Sequence, residues 1–582
     1  MLRPGSRKIV RREVDAQRLS ALPSIPPLLQ KIYAARGVGS EEELQLGLPK
    51  LLDYSNLKGV AEAVELLKDA LTQDKHLLIV GDFDADGATS CALAMKALMA
   101  MGAKKVGYLV PNRFDFGYGL TPEIVAVAAQ QSPDIIITVD NGISSLAGVT
   151  AARQAGIKVI VTDHHLPGAQ LPQADAIVNP NQPGCAFQAK NTAGVGVIFY
   201  LMTALRAALR ENGWFESRGL PLPNMADYLD LVALGTVADV VPLDQNNRIL
   251  VEQGIRRIRV GKASAGLMAL VQVAGKDASR LVAGDLGFSV GPRLNAAGRL
   301  EDMSLGIECL LATDAQSALA MAVQLDELNQ VRKEIEQDMK VQALEALAHL
   351  DIKVDMPAIC LFDSGWHQGV IGILASRIKE RYHRPVIIFA DAGNGEIKGS
   401  ARSIPGFHIR DALDEVASQH PGLLQKFGGH AMAAGLSIQR ADFESFTQAF
   451  TQSAQRLIAT QDLEAIVQTD GALTSEQQSL DVAQLLRSAG PWGQGFAEPL
   501  FDGRFDVLDS RVLGRQHLKL ILAGDSKTRP VEAIAFFVDA ELLEQTLFRV
   551  HIVYKLDINE YRGERRLQLI VEYLEPLASN RK

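Results

Sequence analysis

None of the four cysteines (Cys91, Cys185, Cys309 and Cys360) stands in a CxxC pair or close to another. That argues against a zinc ribbon and against a disulfide framework, and it suits a reducing cytoplasm, the compartment expected for this chain. Long apolar runs are equally scarce. Stretches such as IIITV before Asp140 are far shorter than the roughly 20 residues a membrane helix needs, so no membrane association is expected. The basic N-terminus, MLRPGSRKIVRREV, lacks the continuous apolar core of a secretory signal. No low-complexity tract and no repeat of fixed period interrupts the 582 residues, of which 47% are hydrophobic, so several globular domains are expected. An excess of positive charge is missing too: the net charge is −9. Binding to nucleic acid depends on local patches, however, and the balance is uneven. Residues 1–20 carry six Lys/Arg against two Asp/Glu, a net of +4, and residues 501–582 carry 13 of each sign, so the acidity lies in the middle of the chain.

What fills that middle is a rhythm of short apolar runs and helix-like stretches. HLLIV (76–80), VGYLV (106–110), IIITV (135–139) and KVIVT (158–162) read as buried strands of a parallel, doubly wound α/β sheet. These runs end in Asp82, in Pro111-Asn112-Arg113, in Asp140-Asn141-Gly142 and in Asp163-His164-His165. A later apolar segment, LVALGTVADVVPL, puts Asp239 in similar surroundings. One strand-end Asp is an ordinary cap or turn former, but four segments delivering acid or imidazole to the ligand-binding edge of a sheet are hard to explain that way.

The densest cluster is GDFDADGATS, with Asp82, Asp84 and Asp86 within five residues. Crowded carboxylates repel one another unless a cation lies among them. DFDADG matches the opening of a calcium EF-hand loop, but the twelfth position holds Leu93 instead of Glu and a buried strand precedes it, which rejects that reading. A phosphatase with an aspartyl nucleophile leaves the DHH triplet unexplained. Carboxylates with histidine form a mixed O/N site that suits Mn²⁺ and permits Mg²⁺. Asp82, Asp84, Asp86, Asp140, Asp163, His164 and Asp239 are enough for two ions, an arrangement used in phosphoester hydrolysis.

Beyond residue 300, a periodic charged stretch at 301–350 reads as a connector helix. A second α/β unit is expected over 351–458, and β-rich sequence over 459–582 reads as a small antiparallel barrel or sandwich, an OB-fold being the expected form. The remaining divisions are a basic N-terminal segment, 1–48, and the first α/β domain, 49–300. Arg511, Arg515, His517 and Lys519 lie near one candidate barrel strand. Trp492 and Phe496 could serve as stacking platforms but are expected mainly to pack.

In this order, GDFDADGATS, TVDNGIS, TDHHLP and GTVADVVPL resemble the motifs of the DHH phosphoesterase superfamily, and GWHQGVIGILASRI, KGSARS and GGHAMAAG resemble its DHHA1 companion domain. With GPRLNAAGRL and the β-rich tail, the chain is similar over nearly its whole length to the branch that degrades single-stranded DNA from the 5′ end, releasing 5′-mononucleotides in recombination and repair. The resemblance implies that Asp84 and Asp86 are paired metal ligands with Asp82 close by, that Asp140 bridges, and that His164 and Asp239 complete the set. It further implies that His165 meets the scissile phosphate, with Asp163 orienting an imidazole. It assigns Arg113, Ser400 and Arg402 to a 5′-phosphate pocket. Arg293, Asn295, Arg299 and His430 could contact the strand, although the first three could equally cap the connector helix. The implied partners are single-stranded DNA, a single-stranded-DNA-binding protein and a RecQ-type helicase, with the chain acting as a monomer. Two other readings stay on the table: a DHH phosphodiesterase of short oligonucleotides or cyclic dinucleotides, and a replication scaffold with a decayed site. The first lacks the long connector and barrel. The second conflicts with a ligand set in which every position holds a competent residue.

Overall fold

The computed structural model describes residues 6–111, 119–349, 356–514, 516–524, 530–538, 540–561 and 563–577. In chain order the strands are β1 (Lys8–Arg11), β2 (His76–Val80), β3 (Lys105–Leu109), β4 (Ile135–Val139), β5 (Lys158–Thr162), β6 (Ala176–Val178), β7 (Ile359–Asp363), β8 (Val386–Gly393), β9 (Glu396–Arg402), β10 (Lys426–Gly429), β11 (Ala433–Gln439), β12 (Ile466–Thr469), β13 (Phe501–Leu513), β14 (His517–Ala523), β15 (Val531–Ala535), β16 (Arg549–Tyr561) and β17 (Glu564–Pro576). The chain divides into two compact units. One holds Val14–Asn329 with Leu485–Glu498, and the other holds Met1–Glu13, Gln330–Gln484 and Pro499–Lys582.

The first unit is built on a parallel sheet of order β3-β2-β4-β5-β6. Its strands are apolar on both faces because helices cover both, which is why they read as continuous runs rather than alternating ones. All five residues of β4 are buried, as are four of the five in β2. The chain leaves β2 for one edge and returns to place β4 on the other side of β2. The carboxyl ends of β2 and β4 therefore flank a topological switch point, the usual ligand site of such sheets. The helix Ala85–Ala100 that follows β2 is buried on nearly every side against the helices Gly194–Glu211 and Leu229–Ala238. LVALGTVA forms the last of these, so Asp239 stands at a helix C-terminus rather than at a strand end. A continuous apolar run fits a buried helix as well as a strand. The segment Leu485–Glu498, far along the sequence, belongs to this unit: Tyr33, Trp492 and Phe496 stack with ring centroids 5.1–6.1 Å apart.

In the second unit, a sheet of order β10-β11-β9-β8-β7 pairs β7 with β8 in parallel and its other neighbours antiparallel. Alternation along β8 serves two cores. Val386, Ile388 and Ala390 pack with Leu374 and with Met339 of the long helix Ala315–His349, and Ile387 and Phe389 pack with Phe446 and Ile409. Trp366 lies in the first of these cores, its ring N–H donating to Gln342 at 2.8 Å. The tail is a closed barrel, β13-β14-β15-β17-β16, with β15 and β17 parallel and the other neighbours antiparallel. A ring of five strands cannot close with every neighbour antiparallel, and this accounts for the one departure from the expected pattern. β1 pairs in parallel with β12, and Arg11 reaches Asp502 on β13 at 2.8 Å. Among the described residues no helix is long and apolar enough to cross a membrane.

Candidate active site

Three loops at the switch point gather the acids. Where β2 ends, Asp84 caps the helix Ala85–Ala100, its Oδ1 accepting the Gly87 N–H at 3.0 Å. Asp86, one residue inside the helix, is buried, and its two oxygens accept the N–H groups of Gly194 and Val195 at 2.7 and 2.8 Å. The start of the helix Gly194–Glu211 thus holds this carboxylate, as a helix N-terminus favours. Space here is tight: a Cβ on Gly194 would lie 2.7 Å from Cβ of Asp140, and one on Gly235 would lie 2.8 Å from Oδ1 of Asp86.

At the end of β4, Asp140 takes a left-handed conformation (φ 62°), a cost of the kind that collects at functional sites. Its neighbour Asn141 fixes the turn by donating to the carbonyls of Val80 and Val139 at 3.1 and 2.9 Å, which ties the ends of β2 and β4 together.

Beyond β5, Asp163 is fully engaged. Its Oδ2 accepts the Ile143 N–H at 2.9 Å, and its Oδ1 accepts the N–H groups of His164 and His165 at 2.7 and 3.0 Å and meets Nδ1 of His165 at 2.7 Å. Burial alone would raise the Asp163 pKa, but the hydrogen bond and charge of His165, helped by the backbone donors, hold it below the ordinary value. For His165 burial works downward, and the bond and charge of Asp163 outweigh it, so the imidazole is held protonated more readily than usual. The neighbouring ring, His164, points its Nε2 at Oδ1 of Asp140 (3.1 Å) and Oδ2 of Asp239 (3.5 Å).

Asp86, Asp140 and Asp239 are driven the opposite way. Asp86 is pushed up to about 7, by burial first and then by the charge of Asp84. Asp140 and Asp239 are pushed well above the usual range by burial and then by the surrounding carboxylates. The buried Oδ2 of Asp239 accepts no hydrogen bond among the described residues. Ligand atoms fall into overlapping groups, each within 4.8 Å: Asp82, Asp84 and Asp140; Asp86, His164 and Asp239; and Asp140, His164 and His165. A donor set of carboxylate oxygens with imidazole nitrogen and no thiolate fits a hard divalent cation, and a cation would relieve the acids' mutual repulsion.

The other residues singled out in the sequence fall differently. Arg113 lies outside the described residues. Asn295 accepts the Ala85 N–H at 2.8 Å and so buttresses the first acidic loop. Arg293 is paired at 2.8 Å with Asp326 of the long helix and donates to the Ser289 carbonyl. Arg299 sits half-buried in the last turn of the helix Gly291–Leu300. In the second unit, Arg402 donates to the hydroxyl of Ser400 at 3.1 Å, both beside Gly372 at the start of the helix Ile371–Tyr382, where a Cβ would come within 3.0 Å of either side chain. His430 is exposed at the β10–β11 turn. Sequence reasoning passed over Asn179 and Asn181, whose side-chain amides donate to the carbonyls of His165 (3.0 Å) and His164 (2.6 Å). Their signal was present: NPN follows the apolar run of β6 just as DNG follows that of β4.

A single-stranded-DNA-specific exonuclease RecJ from Dickeya dadantii (strain 3937) is 55% identical to this chain over 557 residues, covering 95% of it and 97% of the relative. The protein of the same description from Escherichia coli (strain K12) is 52% identical over 571 residues, covering 97% and 99%. The chain belongs to the RecJ family. Three family models account for its parts: the DHH family N-terminal domain matches residues 76–236, the DHHA1 domain 355–456 and the RecJ OB domain 469–573. RecJ from Thermus thermophilus, solved in complex with Mn²⁺, superposes with a TM-score of 0.79 at 31% identity over 98% of this chain and 80% of that one. The same protein with Mg²⁺ gives 0.73 at 30% identity, over 98% of this chain and 78% of that one.

Proposed function

We propose that the chain is a metal-dependent, single-stranded-DNA-specific exonuclease that hydrolyses from the 5′ end and releases 5′-mononucleotides. The observation that carries this is the chain of oxygen- and nitrogen-rich ligand groups at the switch point, in which Asp140-His164-His165 shares Asp140 with the Asp82-Asp84 group and His164 with the Asp86-Asp239 group, in a chain of the RecJ family. In this reading Asp82, Asp84 and Asp140 would hold one divalent ion, Mn²⁺ or Mg²⁺, and Asp86, His164 and Asp239, with Asp140 shared, would hold the second. The alternation of the three acids divides them between the two: Asp84 at the cap and Asp86 in the first turn face different neighbours. A pair of ions held there would supply an activated water for attack on phosphorus and neutralise charge on the leaving oxygen.

The chain's own groups supply the rest. His165, whose ring proton Asp163 helps to retain, is placed to donate to a non-bridging phosphate oxygen and offset the charge that grows there during attack. Asp163 and the amides of Asn179 and Asn181 fix the DHH backbone, so that both imidazoles are preset. Attack breaks the bond between phosphorus and the O3′ of the terminal nucleotide. The released nucleotide keeps its 5′ phosphate and gains a 3′ hydroxyl, and the shortened strand presents a new 5′ phosphate. Ser400 and Arg402, at the start of the helix Ile371–Tyr382, are suited to bind that phosphate through a hydroxyl, a guanidinium fork and a helix N-terminus. Each cleavage therefore regenerates the group that the pocket recognises. Action as a monomer in the cytoplasm, in recombination and repair beside a single-stranded-DNA-binding protein and a RecQ-type helicase, completes the reading on the strength of the family resemblance.

A time course on single strands and duplexes labelled at either end, and on a cyclic dinucleotide, with Mn²⁺ or Mg²⁺, tests the proposal. Labelled mononucleotide appearing first from the 5′ end of single strands alone supports it. Preferential hydrolysis of the cyclic dinucleotide favours the small-substrate phosphodiesterase, and no turnover favours a scaffold.

A further inference from the structure

Away from the acidic cluster, the first unit contains a cavity of about 440 Å³ that the exonuclease reading does not use. Its charged and polar walls include Lys96, Asp227, Asp230, Arg257, Lys262 and Ser264. It lies at the far ends of the two helices that carry site carboxylates. Lys96 is near the C-terminus of Ala85–Ala100, about 15 Å along the helix from Asp86, and Asp230 is in the first turn of Leu229–Ala238, which ends at Asp239.

Asp230 is the unusual member. It is 0% exposed; one oxygen accepts the Ser264 N–H at 2.7 Å, and the other accepts nothing among the described residues. The Ser264 hydroxyl and Nε of Arg257 are also buried with no hydrogen-bond partner among the described residues. Unmet polar groups of this kind cost free energy unless something fills them. Burial weakens the charge on Lys96, and Asp230 partly restores it. Toward the opening, Arg257 is paired with Asp227 at 2.6 Å and Lys262 is exposed. Three cations against two carboxylates leave the walls with one positive charge in excess. A bare anion would face the buried Asp230 carboxylate, and a simple cation would face the three basic groups. The walls call for a molecule with a hydrogen-bond donor at one end and negative charge at the other.

We infer that this cavity binds a nucleoside 5′-monophosphate, its base or sugar donating to Asp230 and its phosphate held by Lys262 and Arg257. The volume is within the range of small-molecule sites, roughly 300–1,000 Å³. The choice of a nucleotide rests on the exonuclease reading, whose product is of that class; the pairing of donor and anion does not.

Calorimetric titration of the metal-free enzyme in EDTA with dGMP, deoxyguanosine or inorganic phosphate tests the inference without turnover, so its failure leaves the exonuclease reading untouched. The expected result is saturable binding of dGMP, weakened at least about tenfold by Lys262→Ala and by Asp230→Asn, and unchanged by His165→Ala in the DHH triplet. Lys262 is exposed, so its variant carries the test even where the buried Asp230→Asn chain fails to fold. Three results overturn the inference: no binding of dGMP, binding lost in His165→Ala but kept in Lys262→Ala, or phosphate bound as tightly as dGMP, which marks an adventitious ion only.

Discussion

Replacing Asp140 by Asn should destroy activity yet stabilise the metal-free protein. The Asp140 carboxyl is pushed well above its ordinary pKa by burial and then by Asp86, Asp84, Asp239 and Asp82, so the metal-free fold favours its neutral form. The ligand atoms of Asp82, Asp84 and Asp140 lie within 4.8 Å of one another. At an effective dielectric constant near 20, two full unit charges 4.8 Å apart repel by about 3.5 kcal/mol, and partial protonation reduces this to roughly 1–3 kcal/mol. An acid whose folded pKa is raised costs no stability below its unfolded pKa, near 3.9, and its full cost above the folded value. Asn keeps the shape, tolerates φ 62° and carries no charge. In EDTA above neutral pH, the variant should therefore unfold a few degrees higher than the wild type, and the gap should narrow as the pH falls toward 4. With Mn²⁺ the order should reverse. The wild type gains about 2.7 kcal/mol at a metal concentration 100 times Kd, and the variant, lacking the shared ligand, gains far less. Differential scanning calorimetry with and without metal reads both effects. A variant less stable than the wild type in EDTA, or one that gains as much from Mn²⁺, would refute the argument from crowded carboxylates.

Asp163→Asn removes the charge that raises the His165 pKa while leaving the backbone bonds partly in place, so kcat on single strands should fall about 10–100-fold with DNA affinity little changed. Arg402→Ala should erase most of the preference for a 5′-phosphorylated end over a 5′-hydroxyl end, read as the ratio of kcat/KM on the two substrates. Asp502 is 5% exposed and accepts from Arg11 at 2.8 Å and Thr469 at 2.7 Å. Burial would raise its pKa, but those partners hold it below the ordinary value. Its contribution is therefore present above pH 4 and lost as the pH falls through the folded value. Asp502→Asn should cost the second unit about 1–2 kcal/mol at pH 7 in urea titrations, the lower end reflecting the 60% exposure of Arg11, and the difference should shrink as the pH falls below 4.

The first sheet was legible because its strands are buried on both faces: HLLIV, IIITV and KVIVT became β2, β4 and β5 with the bounds read from the apolar runs. The acids were legible for the same reason, since polar residues ending such runs cluster at one edge of a parallel sheet. Properties that depend on distant partners were not. LVALGTVA is apolar all round, so no period separates helix from strand, and only burial among other helices made it Leu229–Ala238. The pairing of Lys8 with Ile466, and the stacking of Tyr33 on Trp492, join residues more than 450 apart with no local signal. Alternation announced Asp82, Asp84 and Asp86 as a cluster. Which acid faces which neighbour depended on the helix starting at Ala85, with the Gly194–Glu211 N-terminus taking both oxygens of Asp86.

The central claim is that one shared carboxylate, Asp140, joins two ligand groups into a site for a pair of ions. Titrating metal-free protein with Mn²⁺ and recording electron paramagnetic resonance tests it most directly. The account predicts about two equivalents bound, with the spectrum of an exchange-coupled pair that Asp140→Asn abolishes. A single equivalent with an uncoupled spectrum, or a coupled pair that survives in the variant, would contradict it.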